Sequence, residues 1–107
     1  MESHDQAAKS KYKLRLYITG LTPRSIEALE NIKRILETHL KGRYELEVID
    51  IRKHPERAAE AQLVAAPTMV KELPEPLRKF VGDMSDEERI LLGLDLAPTQ
   101  PEGDHDT

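Results

Sequence analysis

Between Tyr12 and Ile51 a strand, a helix and a second strand stand in direct succession, and no other feature of the chain narrows its fold as far. From Tyr12 to Thr19, Leu14, Leu16 and Ile18 alternate with Lys13, Arg15 and Tyr17, the period of two that half-buries a strand. Gly20 ends it. Thr22 then offers an N-cap hydroxyl and Pro23 a preformed first helical residue, while Ile26, Leu29, Ile32, Leu36 and Leu40 recur at helical spacing. On the outer face Glu30 and Arg34, like Glu37 and Lys41, stand at i,i+4, pairs worth about 0.2–0.5 kcal/mol each, and Gly42 suits the C-terminal cap. Tyr44 to Ile51 reads as the second strand, and its adjacent Val48 and Ile49 fit a central, well-covered position. A helix crossing between two such strands makes them parallel neighbours.

The second half is built from shorter pieces. Pro55 opens an Ala-rich helix through Leu63 that stops before Pro67. Thr68 to Leu73 and Leu77 to Val81 read as strands joined by Pro74-Glu75-Pro76, a turn between antiparallel neighbours. Ser85 and Glu88 have capping-box spacing ahead of Ile90, Leu91 and Leu94, which predicts a last helix from Asp86 to Leu92. The fold class is therefore α/β in the order βαβαββα, one domain over residues 12–96. Residues 1–11 and 97–107 are polar and read as disordered tails.

Composition excludes more functions than it suggests. A chain of 107 residues holds one core, and with 38% apolar and 4% aromatic residues that core is mainly Leu, Ile, Val and Ala. A net charge of −4 argues against a nucleic-acid-binding face. No apolar run approaches the ~18–20 residues that span a bilayer, and Met1 to Lys11 lacks the hydrophobic centre of a secretory signal, so a cytoplasmic protein without membrane contact is expected. There is no cysteine, hence no disulfide, thiolate metal site or thiol nucleophile. His4, His39, His54 and His105 show no ligand spacing. Asp83, Asp86, Glu87 and Glu88 complement a helix N-terminus more simply than they form an acid–base pair. Gly20 lacks the Lys and Ser/Thr of a phosphate loop. No catalytic residue, metal or cofactor is expected.

An X-Pro step directly before the third strand completes the plan of thioredoxin: Ala66-Pro67-Thr68 stands where that family has its cis-proline, and Leu21-Thr22-Pro23-Arg24-Ser25 stands where its cysteines would be. Leu16-Tyr17-Ile18-Thr19-Gly20, Thr22-Pro23, Ser25, Val48-Ile49-Asp50, Ala66-Pro67-Thr68, Gly82-Asp83-Met84-Ser85 and Gly93-Leu94-Asp95-Leu96 together resemble the KaiB family along nearly the whole domain. The chain departs from the usual cyanobacterial pattern at Leu21, where a polar residue is common, at Pro74-Glu75-Pro76, where three prolines are, and in a less acidic tail.

The resemblance implies a non-enzymatic clock or timer component that binds a KaiC-type ATPase ring and, where they exist, KaiA and a sensor kinase with a KaiB-like domain in competition. A free-standing sensory domain in a stress or histidine-kinase pathway is the alternative. It also implies a homo-oligomer, tetramer or dimer, exchanging with a monomer, and a second fold, βαββααβ and tetrameric, for the C-terminal half. Lys71, Arg78 and Lys79 are the candidate KaiC contacts. Pro67, Pro74, Pro76, Gly93 and Asp95 are the fold-switch candidates: X-Pro bonds have a small intrinsic trans preference of about 0.5–1 kcal/mol, and Ala at Gly93 is expected to favour the helical form.

Overall fold

The computed structural model describes residues 11–63 and 66–96. The expected order is present: β1 (Tyr12–Ile18), α1 (Pro23–His39), β2 (Tyr44–Asp50), α2 (Pro55–Glu60), β3 (Thr68–Leu73), β4 (Arg78–Val81) and α3 (Glu87–Gly93). Both terminal tails expected from the sequence lie outside the described residues, apart from Lys11. α1 starts as its sequence requires, with Thr22 in extended conformation and its hydroxyl accepting from Ser25 N at 3.2 Å. Of the expected stripe Ile32, Leu36 and Leu40 are buried and Leu29 packs against the core, joined by Ser25, Ala28 and Ile35, whereas Ile26 faces solvent. Ser25 is buried because it sits at the end of β1, where its hydroxyl accepts from Thr19 N. The outer-face charges also choose other partners: Arg34 reaches Asn31 and Glu87, and Glu37 takes the Tyr44 hydroxyl.

The sheet order is β2-β1-β3-β4, with β1 and β2 parallel and the other pairs antiparallel. This corrects the reading of β2 as a central strand. The second crossover carries the chain past β1 to its far side, so β1 is central, β2 is an edge, and Val48 is 41% exposed. α2 ends at Glu60 and not Leu63, since Gln62 takes a positive φ of 57°. α3 is capped by Asp86, whose carboxylate accepts from Arg89 N at 3.1 Å, and not by the Ser85–Glu88 box. Ser85 N instead donates to Asp83 Oδ1. The peptide bonds preceding Pro67, Pro74 and Pro76 are all cis.

Two apolar layers flank the sheet. Tyr12, Leu14, Leu16, Ile18, Met69 and Phe80 pack under α1 and α3, while Tyr17, Ile49 and Val70 form a smaller cluster on the other face. α2 itself buries no residue. No described helix is long and apolar enough to cross a membrane.

Candidate functional site

The three candidate contact residues lie on two adjacent strands, and the ladder separates them. Lys71 is paired with Arg78 and Val70 with Lys79, so Arg78 shares a face with Lys71 and Lys79 points to the opposite one. Lys71 is fully buried, which removes it from any contact surface in this fold. Its ammonium has no hydrogen-bond acceptor, and its carboxylate partner is Asp95, with Nζ 3.6 Å from Oδ2. Lys79 is engaged as well: Nζ donates to Ala61 O at 2.7 Å and Gln62 O at 3.5 Å, fastening the end of α2 to β4. Arg78 is exposed, and its side chain has no partner among the described residues. The basic spot inferred from adjacent Arg78 and Lys79 is thus a single free cation on an edge strand.

The switch candidates cluster at two places. Pro67 is buried beside β4, where its carbonyl accepts from Gly82 N at 3.0 Å, and Pro74 and Pro76 flank the β3–β4 turn. Gly93 ends α3 against the Phe80 ring, and Asp95 follows in a turn with a positive φ of 65°. A Cβ at position 93 would overlap Cε2 and Cζ of that ring. Helix preference alone therefore does not set the effect of Gly93→Ala, because the gain of up to ~1 kcal/mol is opposed by displacement of a core aromatic.

The segment where thioredoxins carry their cysteines is held by Asp50. Its Oδ1 accepts from Arg52 N at 3.0 Å and Gly20 N at 3.1 Å, tying the ends of β1 and β2 together. These bonds, that of Arg52 foremost, hold its carboxyl below the ordinary value, although partial burial opposes them. Gly20 has a φ of +66°, and any side chain there would overlap the Arg52 guanidinium. The adjoining Leu21 is left 76% exposed. A carboxyl lowered in the folded state stabilises the fold above the unfolded pKa of about 4, and this contribution is lost as pH falls through the lower folded value. The stability difference between wild type and Asp50→Asn should accordingly shrink as pH is lowered from about 5 to 2 in thermal melts. A constant difference would show that Asp50 acts without its charge.

Sequence reasoning missed a charged network on the α2 face. Arg15 pairs with Glu72 at 2.9 Å and Glu47 at 3.3 Å, and Arg57 reaches Glu47 at 3.4 Å. The alternation of β1 put Arg15 on that face, but its partners depend on which strands flank β1. Three of the four acidic residues around the start of α3 have local duties: Asp86 caps α3, Asp83 accepts from Ser85, and Glu87 meets His39 at 3.0 Å. Among the described residues no three metal-ligating side chains converge.

Two curated cyanobacterial proteins, each named circadian clock oscillator protein KaiB, are similar over most of the chain. The protein of Nostoc punctiforme is 52% identical over 89 residues, 83% of this chain and 86% of its own. That of Picosynechococcus is 51% identical over 88 residues, 82% and 85% respectively. Among solved structures, the N-terminal domain of Synechococcus elongatus SasA superposes with a TM-score of 0.70 at 21% identity, covering 90% of this chain and 94% of that domain. The thioredoxin Deadhead of Drosophila melanogaster gives 0.65 at 18%, covering 88% of each, so the fold is thioredoxin-like. The KaiB domain model matches residues 15–96, from the second turn of alternation in β1 to the last described residue, and the chain belongs to the KaiB family.

Proposed function

We propose that this chain is a non-enzymatic clock or timer component that docks on a KaiC-type ATPase ring. The observation that carries the reading is the KaiB domain match over residues 15–96, together with relatives at about half identity whose names place them in a circadian oscillator. Arg78, the unpartnered cation of the edge strand, is the contact residue this fold leaves available. Lys79 supports it by holding α2, whereas Lys71 is buried and makes no partner contact in this form. KaiA, and a sensor kinase through its KaiB-like domain, are the further partners where they exist. The protein works in the cytoplasm, without a cofactor, and neither nucleic acid nor membrane is a partner. The thioredoxin-like monomer is the binding form, in exchange with an oligomer whose C-terminal half is folded as βαββααβ.

Retention of the cognate ATPase on immobilised protein, compared under ATP and ADP, tests this directly. Arg78→Glu should lower the association rate about tenfold at low salt and less at high salt, as expected when a steering charge becomes repulsive. Association that is equally fast for wild type and variant at both ionic strengths would remove Arg78 from the interface. The second reading that the family resemblance leaves open is a free-standing interaction domain in a stress or histidine-kinase pathway. Binding to a kinase with no binding to the ATPase ring would select it.

A further inference from the structure

Gly82-Asp83-Met84-Ser85 takes no part in the contact at Arg78, yet it shapes a cavity of about 250 Å3 at the opposite end of β4, between the first turns of α1 and α3. Gly82 turns the chain with a φ of +117°, and Met84 follows with a φ of 63°. Both values lie where side chains are disfavoured. Met84 is nevertheless buried there, in one core cluster with Phe80 and Ile90, and these three give the cavity an apolar floor. Val81, 50% exposed, adds an apolar wall.

The charges around this floor are not equally occupied. Arg24 stands over Gly82, with one guanidinium nitrogen 3.7 Å from where a Cβ would lie, and Arg89 enters from α3. Both are exposed, and neither guanidinium has a hydrogen-bond or ion-pair partner among the described residues. The two carboxylates that line the cavity are each engaged by backbone: Asp83 Oδ1 accepts from Ser85 N at 3.0 Å, and Asp86 Oδ1 from Arg89 N at 3.1 Å. The Ser85 hydrogen bonds, with the field of Arg24 in addition, hold the Asp83 carboxyl below its ordinary value. The hydrogen-bonding capacity left over is thus that of two planar cationic forks, and such forks match a carboxylate.

We propose that this cavity docks an acidic peptide segment of a partner protein, with an apolar side chain seated on Phe80, Met84 and Ile90 and a neighbouring Asp or Glu held by Arg24 and Arg89. Small-molecule sites commonly enclose about 300–1,000 Å3 and bury most of their ligand, whereas this smaller space admits one side chain of an extended segment. An apolar anchor flanked by arginine is also the combination that carries binding energy at protein interfaces. Asp83 and Asp86 select against phosphate, since they repel a dianion about twice as strongly as the single charge of a carboxylate. The site goes beyond the contact at Arg78 and lies at the other end of the same strand, so both can be occupied in one complex.

An N-acetylated, C-amidated octapeptide of Gly and Ser carrying one adjacent Leu and Glu is the probe, titrated into isotope-labelled protein to millimolar concentration. Amide signals of Arg24, of residues 82–86 and of Arg89 should shift together and saturate. Arg24→Gln and Arg89→Gln, at exposed positions that leave the thermal transition in place, should each weaken binding about tenfold. A peptide with Gln for Glu should bind weakly and equally to wild type and variants, which ties the loss to the carboxylate. A peptide with Ala for Leu should lose several-fold. Absence of a saturable shift, a shift centred elsewhere on the sheet, or equal affinity of wild type and both variants for the acidic peptide would overturn the proposal. So would the same shifts from inorganic phosphate at equal concentration, which would make this a simple anion site. Shifts that follow protein concentration without peptide would place a second copy there instead. The ATPase takes no part in the titration, so its outcome is independent of whether Arg78 meets the ring.

Discussion

Leu16→Ala should cost about 2–5 kcal/mol of stability, whereas Val48→Ala, its cross-strand partner in the β1–β2 ladder, should cost less than about 1 kcal/mol. Both are apolar strand residues in register with one another. Leu16 has no exposed surface and lies at the centre of the sheet, under α1 and α3, where surrounding side chains cannot collapse into the space a truncation leaves. Val48 is 41% exposed on the edge strand, and water takes the place of its lost methyl groups. For a domain of this size 1 kcal/mol moves the melting temperature by about 4–8 °C, so the two variants separate clearly in a thermal or urea melt. Equal losses would mean that β2 is covered on both sides, as its apolar pair Val48 and Ile49 suggested.

Lys71→Glu should cost about 3–5 kcal/mol, and Lys71→Met should leave stability unchanged or raise it by about 1 kcal/mol or more. The ammonium is fully buried without a hydrogen-bond acceptor, and its partner Asp95 is half in solvent, so the attraction between them offsets little of the desolvation. Methionine keeps the unbranched stem and removes the charge, and Asp95 then rehydrates. Glutamate puts a second carboxylate beside Asp95 in the same dry position. Urea denaturation with unchanged m-values measures both. A Lys71→Met variant as unstable as Lys71→Glu would show that the ammonium is a structural requirement of this fold.

Much of this architecture was legible in the sequence because it is recorded locally. The alternation of β1, the Thr22-Pro23 start of α1, the prolines between β3 and β4, and the element order all depend on residues within a few positions of one another, where propensity and periodicity act. The family resemblance rested on the same short segments, and its match over residues 15–96 follows them. What tertiary structure decided is which neighbours those elements acquire. β2 became an edge because the second crossover returned on the far side of β1, a choice no periodicity in Tyr44 to Asp50 encodes. Arg78 and Lys79 parted because a pleated strand sends consecutive side chains to opposite faces, and Lys79 then found the carbonyls at the end of α2. Lys71 looks like a surface residue in its own segment, yet it is buried beside Leu14 of β1, with Asp95 of the turn after α3, remote in sequence, at its ammonium. Burial and charge pairing are properties of the assembled layers, and a linear pattern carries only the face each element would prefer to hide.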